Sequence, residues 1–179
     1  YDERQKIEKE LAKNKEMNES EINKFLLNWD NHDIKRYYIE NSFDFTLKTL
    51  GVYDNNDIVK KACDIIIFHL ENIQKMCDKQ EIEIKENPII MDNSWDIILQ
   101  DYSYTIGKIL EWLLHYKFYM DLNEMKYVGF LKEHPHNTHS IIRVSYNNKK
   151  LSNKNYIYLC LKEACRINIL LFKNIKKEF

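Results

Sequence analysis

Glycine and proline are scarce in this chain: three glycines and two prolines occur among 179 residues. A fold of many short strands needs a turn about every ten residues, and such turns are rich in these two residue types. A loop that cradles a phosphate needs several glycines close together. The scarcity therefore argues against a many-stranded β fold and against a nucleotide-binding loop.

Long apolar runs are also missing. No stretch approaches the roughly 18 consecutive apolar residues that span a bilayer, so we expect no transmembrane segment. The chain has no Gly-X-Ser-X-Gly motif, and no cysteine–histidine pair with a known catalytic signature. We therefore expect no catalytic residues and no cofactor, while an enzyme of unfamiliar type stays open as an alternative.

What the chain does contain is helical periodicity over a hydrophobic content of 44%. The clearest case is residues 57–77, where apolar residues recur every three or four positions. Two more long helices are predicted over residues 95–120 and 155–178. The spacing thus predicts an all-α multi-helix bundle, with residues 1–17 as a charged helical extension and residues 18–179 as a single helical domain.

Shorter segments are assigned on local signals. Asn18 and Glu21 have the spacing of a capping box, which predicts a helix start at residue 18. Residues 32–51 are predicted to form one or two helices that end at Gly51. A shorter helix is predicted over residues 122–133, and residues 140–152 alternate enough for a short hairpin.

The four cysteines offer no local disulfide. Within their predicted helices, Cys63 and Cys77 would lie about 21 Å apart. Cys160 and Cys165 would point in different directions, while disulfide Cα atoms lie within about 7 Å of each other. We expect buried, reduced thiols, which favours a cytosolic or nuclear compartment. A link between the two helices, and secretion or export, are left open.

Three histidines, His134, His136 and His139, cluster around Pro135. Zinc takes three or four nitrogen, sulfur or oxygen ligands, and this spacing is compatible with that geometry. A second paired motif at zinc-finger spacing is missing, so we interpret the cluster as a polar loop and assign no metal ligand. Glu111 and His115, four residues apart on one predicted helix, are interpreted as a surface pair.

Charge is unevenly distributed along the chain. Residues 147–179 carry a net charge of +6, whereas the whole chain has −1. On the last predicted helix, one stripe holds the candidate binding residues Lys162, Arg166, Lys173 and Lys177. Such a stripe can bind an acidic protein, acidic lipid head groups or nucleic-acid phosphates. It can equally be a solvated face that balances the acidic part of the molecule.

Residues 25–73 resemble the N-terminal helical domain of the transcription elongation factor TFIIS. The similar segments are "TLKTLGVY", residues 46–53, and "NNDIVKKACDII", residues 55–66. Phe68 and His69 stand where that family commonly has a Trp-Lys pair, and the basic residues after its middle helix are missing here. The resemblance implies a non-enzymatic module that binds short disordered segments of transcription partners.

Taken together, the sequence predicts a non-enzymatic helical protein–protein interaction module that binds a peptide segment of a larger complex. Aromatic residues make up 13% of the chain, and tyrosine and tryptophan are enriched in protein interfaces. The first alternative is binding of a polyanion, either nucleic acid or an acidic membrane surface, by the C-terminal basic helix. The second alternative is the enzyme of unfamiliar type.

Overall fold

The computed structural model describes residues 2–13, 18–40 and 42–179. The chain forms two compact units, Tyr1–Leu47 and Lys48–Phe179. Each unit has its own set of secondary-structure elements.

The first unit consists of two helices and a short turn. Helix α1 spans Asp2–Lys13, helix α2 spans Glu19–Asn31, and a single 3₁₀ turn covers Asp33–Arg36. The capping box predicted at the start of α2 is confirmed: the Glu21 N–H donates to the Asn18 side chain at 2.9 Å, and the Glu21 carboxylate accepts the Asn18 N–H at 3.0 Å. Arg4 joins the two helices through a bidentate ion pair with Asp30, at 2.8 and 3.0 Å.

The second unit combines three helices with one antiparallel sheet. Its helices are α3, Asn55–Asp78; α4, Tyr104–Leu114, continued by a π-helical turn at His115–Asp121; and α5, Lys154–Lys177. Its strands are β1, Glu83–Glu86; β2, Ser94–Gln100; β3, Met125–Leu131; and β4, His139–Tyr146. The elements follow one another as α3-β1-β2-α4-β3-β4-α5.

The sheet has the spatial order β1-β2-β4-β3, with every neighbouring pair antiparallel. Strands β2 and β4 are central, and their register places Trp95 beside Val144 and Ile97 beside Ile142. Because side chains alternate between the faces of a strand, these residues point to one common face. That face joins the hydrophobic core.

The core lies between this face and the helices. Helix α3 packs against α5, and α4 packs against α5, β3 and β4. Leu70 of α3, Leu110 of α4 and Leu161 of α5 are all completely buried there. Burying such a side chain contributes roughly 1.5–3 kcal/mol, so the apolar faces of the three helices are the main stabilising element of this unit.

The opposite face of the sheet carries a nearly buried ion pair. The Arg143 guanidinium donates to the Asp96 carboxylate at 2.6 and 2.8 Å, and the Asn87 amide donates to it at 2.8 Å. Burial would raise the pKa of Asp96, but the hydrogen bonds from Arg143 and Asn87 outweigh burial and lower that pKa below its usual value. This pair ties β2 to β4 where the hydrophobic core does not reach.

The predicted all-α fold class is wrong, because the second unit contains a four-stranded sheet. The helix predicted over residues 95–120 is in fact strand β2 followed by α4 and the π-helical turn. Trp95, Ile97 and Leu99 alternate with period two, and Asn93 and Asp101 on either side have left-handed backbone with φ of +53° and +61°. That alternation was overlooked in favour of a helical spacing through Trp95 and Ile98.

Two shorter predictions fail for related reasons. The predicted helix over 122–133 is strand β3, rich in the β-favouring residues Tyr127, Val128 and Phe130. The segment at 140–152 does contain a strand, but β4 pairs with β2 and β3 rather than folding back on itself. A helix pattern cannot be separated from an alternating one in so short a run without knowing the strand partner.

The predicted helices over residues 32–51 are reduced to the 3₁₀ turn at Asp33–Arg36. Gly51 does adopt the left-handed conformation, with φ of +88°, but no helix precedes it. In contrast, the helices predicted over 57–77 and 155–178 are confirmed within two residues at each end. Part of the predicted extension at 1–17 is α1, and residues 14–17 lie outside the described residues.

Candidate interaction surface

Helix α4 has one side fixed in the core. Ile106, Leu110, Leu113 and Leu114 are buried there. Gly107 lies so close to Phe130 that an added Cβ would meet its ring at 2.0 Å. A larger residue at position 107 would therefore force the Phe130 ring to move, and glycine lets the helix approach strand β3 without that shift.

Glu111 fixes the orientation of α4 against β3 from a second direction. Its carboxylate accepts the backbone N–H of Phe130 at 2.9 Å and the Lys108 ammonium at 2.6 Å. Strand β3 is an edge strand of the sheet, and an edge N–H that is left unpaired is open to another strand. Glu111 thus accepts the Phe130 N–H, one of the backbone donors on this edge. The interpretation of Glu111 and His115 as a surface pair does not predict this contact.

The outward side of α4 and of the π-helical turn carries large apolar residues. We name this surface the aromatic ridge and define it as Trp112, His115, Tyr116, Tyr119 and Met120. Trp112 and Tyr116 are 56% and 59% exposed and stack nearly parallel, with ring centroids 5.7 Å apart and an interplanar angle of 9°. His115 and Tyr119 stack in the same way at 4.6 Å. The ridge therefore presents two stacked ring pairs to solvent.

Each ring pair has the four-residue spacing that brings side chains together on one side of a helix, and three of the four rings belong to the π-helical turn. Within it the hydrogen bond from the Leu122 N–H to the Lys117 carbonyl, at 2.9 Å, closes over five residues instead of four. This wider turn shifts the phase of the helix, and within it Phe118 is buried while Met120 is exposed. The helix predicted over residues 95–120 instead places Tyr116 and Met120 on one face with Leu113. π-Helical turns are frequent at functional sites.

A groove of about 370 Å³ runs beside the ridge. It is lined by Lys108, Glu111, Trp112, His115 and Val128. One wall is strand β3 and the other is helix α4. The groove thus extends the apolar surface of the ridge and adds one carboxylate and one ammonium to it.

The predicted basic stripe lies on α5, and two of its four charges, those of Lys162 and Arg166, are balanced by ion pairs. Lys162 pairs with Asp78 at 2.5 Å, and Arg166 pairs with Glu163 at 2.7 Å. Lys177 donates to the Asn174 side chain at 3.4 Å. Lys173 takes part in no ion pair with the described residues. Hydrogen bonding to Asp78 raises the pKa of Lys162.

A charged groove between α3 and α5 holds the neutralised part of the stripe. Its volume is about 440 Å³, and Asp78, Lys162, Glu163 and Arg166 contribute both signs of charge to its walls. Lys176, in the last turn of the helix, pairs with Asp64 of α3 at 2.6 Å. Two ion pairs, Lys162–Asp78 and Lys176–Asp64, therefore join α5 to α3.

The histidine cluster does not form a single site. His134 and His136 lie in the β3–β4 loop, where the His136 N–H donates to His134 Nδ1 at 3.2 Å, while His139 is the first residue of β4. Among the described residues, no group of three histidine, cysteine or acidic side chains is arranged to hold a metal ion. Asn137 N–H donates to the His134 carbonyl at 3.0 Å, which closes the loop as a turn.

All four cysteines are free and buried. Burial raises the pKa of Cys77 and of Cys160 to about 12, and burial raises the pKa of Cys165 as well. A thiol acts as a nucleophile or metal ligand only as the thiolate. The raised pKa values therefore keep Cys77, Cys160 and Cys165 protonated at neutral pH.

Within residues 2–13, 18–40 and 42–179, no helix combines the length and the apolar character that crossing a bilayer requires. No protein-family model matches the chain, and a comparison with curated proteins finds no match to its sequence.

Proposed function

We propose that this chain is a non-enzymatic protein–protein interaction module that binds a partner protein on the aromatic ridge of α4. The observation that carries the proposal is the exposed, parallel stack of Trp112 and Tyr116. Large exposed apolar patches mark binding surfaces. Tryptophan and tyrosine also dominate the binding energy of protein interfaces.

The needs of the fold do not account for the ridge. The core side of α4 is filled by Leu110, Leu113 and their neighbours, and the ridge residues lie outside that cluster. Burying an aromatic side chain removes about 150–250 Å² from water. A partner that covers Trp112 and Tyr116 would thus gain several kcal/mol that folding leaves unused.

The rigidity of the surface also supports this function. Gly107 against Phe130, and Glu111 on the Phe130 amide, hold α4 on the sheet in one orientation. Two stacked pairs restrict the rotamers of their rings. A surface that is ordered before binding loses little entropy when it binds.

The buried thiols favour a non-catalytic role, because their pKa values are raised rather than lowered. An activated cysteine needs the opposite shift. The resemblance of residues 25–73 to the TFIIS domain implies binding of protein segments as well. The proposal carries over no contact residue from that resemblance.

The test is affinity capture from an extract of the source organism with the full chain as bait. The bait variants are Trp112→Ala/Tyr116→Ala and, as the matched control, Phe68→Ala. Phe68 is 58% exposed on α3, close to the exposure of the ridge aromatics. We expect a defined partner to be retained by the native chain and the control at high salt, and to be lost by the ridge variant.

Equal capture by all three baits would reject the ridge as the binding surface. Capture that disappears at high salt, with no dependence on the ridge, would favour a polyanion instead, because binding to phosphates falls steeply with salt. Thermal unfolding of each bait separates lost binding from lost folding.

A further inference from the structure

The first unit contains a groove of about 550 Å³, built where α1, α2 and the 3₁₀ turn meet. Typical sites for small ligands have volumes of about 300–1,000 Å³, so the groove is large enough for one side chain of a partner. Ile7 and Leu11 of α1 supply apolar walls. The aromatic ridge belongs to the second unit, so this groove is a separate surface.

Three aromatic side chains, those of Phe25, Trp29 and Tyr37, line the same groove. Trp29 is only 5% exposed, whereas Phe25 and Tyr37 are 44% and 56% exposed. The rings of Trp29 and Tyr37 have centroids 5.7 Å apart and are inclined at 39° to each other, so they form an open angle and not a flat stack. The face of an aromatic ring is negative and attracts a cation within about 6 Å of its centre. Walls of this kind favour a cationic ligand.

The charged groups of the groove favour a cation as well. Two carboxylates, those of Glu10 and Asp33, and one guanidinium, that of Arg36, line it, which gives a net charge of −1. Arg36 pairs with Asp33 at 3.4 Å, but the Arg36 side chain is 81% exposed, and ion pairs at such exposure are weak. In the described part of the chain, Glu10 takes part in no ion pair. Its carboxylate is therefore open to a cation that enters the groove.

A guanidinium fits this combination of groups better than an ammonium does. It is planar and weakly hydrated, and it can stack on a ring face while two of its N–H groups donate to one carboxylate. An ammonium is a strongly hydrated point charge, and the apolar walls of the groove do not replace the water that it would lose. The aliphatic stem of an arginine side chain also packs favourably along apolar surface, such as that of Ile7 and Leu11.

We propose that this groove binds the side chain of an arginine residue presented by a partner protein. The guanidinium lies between the Tyr37 ring and the Glu10 carboxylate, and the stem of the side chain lies along Ile7 and Leu11. The site belongs to the first unit and does not rest on the binding proposed for the aromatic ridge.

The test is an NMR titration of the full chain with the end-blocked peptide Gly-Gly-Arg-Gly-Gly and with the same peptide carrying citrulline in place of arginine. Citrulline keeps the length and shape of the side chain but is neutral. We expect the arginine peptide to shift the signals of Trp29 and Tyr37 with a dissociation constant on the order of 1 mM. The citrulline peptide should bind about tenfold more weakly, and a lysine peptide about threefold more weakly.

Substitutions with matched controls locate the site. Glu10→Gln should weaken binding of the arginine peptide about fivefold, whereas Glu8→Gln on the same helix should change it less than about twofold. Tyr37→Leu should weaken it about threefold. Tyr38→Leu is the control for that ring, because Tyr38 is the adjacent residue and is even more exposed; it should leave binding unchanged. Arg36→Gln should strengthen binding about twofold, because it removes a competing cation.

Equal binding of the arginine and citrulline peptides would overturn the proposal, because the groove would then hold apolar surface only. Lysine binding as tight as arginine binding would overturn the assignment to a guanidinium. Unshifted signals of Trp29 and Tyr37 up to about 20 mM arginine peptide would overturn it too, as would equal effects of Tyr37→Leu and Tyr38→Leu. The comparison of peptides uses the native chain, so it decides the proposal even where a variant loses the packing of α1 on α2.

Discussion

Helices α4 and α5 expose two different surfaces, and only one of them is satisfied within the molecule. On α5, Lys162, Arg166 and Lys176 each have an acidic partner in the same chain. On α4 and its π-helical turn, Trp112 and Tyr116 stack on each other and stay more than half exposed. Charges on a protein surface are stabilised by neighbouring charges and by water. The unfavourable free energy of apolar surface in water is removed only when that surface is buried. The difference directs the search for a partner to α4.

The largest difference in stability is expected between substitutions on the core side of these helices and substitutions on their outward side. We expect Leu161→Ala, on the core side of α5, to lower the free energy of unfolding by about 3 kcal/mol, because it leaves a cavity in a closely packed core. Trp112→Ala or Tyr116→Ala on the ridge should change it by less than about 0.5 kcal/mol. Urea unfolding of the three variants measures both. A large loss on the ridge would show that its aromatic residues serve the fold.

The second-largest loss of stability is expected when the ion pair between Asp96 and Arg143 is removed. This pair lies on the face of the sheet opposite the core. Asp96→Asn should destabilise the protein by about 2 kcal/mol at neutral pH, since Arg143 loses a charged hydrogen-bond partner away from bulk water. The folded-state pKa of Asp96 is lowered. Its stabilisation is therefore present above the unfolded pKa of about 3.9 and is lost as pH falls through the folded value. The difference between native and variant chains should stay constant from about pH 7 to about pH 5 and shrink below about pH 4.

A smaller effect is expected at Gly107, which sets how closely α4 approaches the sheet. Alanine is the better helix former by about 1 kcal/mol, yet its Cβ would meet the Phe130 ring. We expect Gly107→Ala to destabilise by about 1 kcal/mol net, because overpacking outweighs helix propensity. Phe130→Leu in the same chain should remove that penalty. A stabilising Gly107→Ala would mean that Phe130 moves aside freely, and the ridge would then not be held rigidly.

The smallest effect should come from the basic stripe. Exposed ion pairs add little to stability, so Lys162→Gln should leave the unfolding temperature unchanged within error. Reversal of Lys162, Arg166 and Lys173 to glutamate should likewise leave partner capture unchanged under conditions where the ridge variant loses it. Loss of capture on reversal would move the binding surface from α4 to α5.

The sequence predicts the long helices well and the sheet poorly. Helices α3 and α5 repeat their apolar residues over 24 positions each, which is long enough for the helical period to be unambiguous. Strand β2 has seven residues, and its alternation competes with a helical spacing through the same tryptophan and isoleucines. What decides between them is pairing with β4 about 45 residues later, which a local pattern does not contain.

The candidate surface was missed for a similar reason. Tyr116 and Met120 fall on the apolar side of the predicted helix, so the periodicity predicted that they are buried. Both belong to the π-helical turn at His115–Asp121 and are exposed. The basic stripe is visible in the sequence, but Asp78, the partner of its Lys162, belongs to α3, far away in the chain.

The most direct test of the central claim is oxidative footprinting of the full chain, alone and bound to its captured partner. Hydroxyl radicals generated in the solution oxidise exposed tryptophan and tyrosine, so both Trp112 and Tyr116 should react readily in the free chain. The claim predicts that partner binding lowers their oxidation several-fold and leaves that of Phe68 on α3 unchanged. Unchanged oxidation of Trp112 and Tyr116 in a stable complex would contradict it.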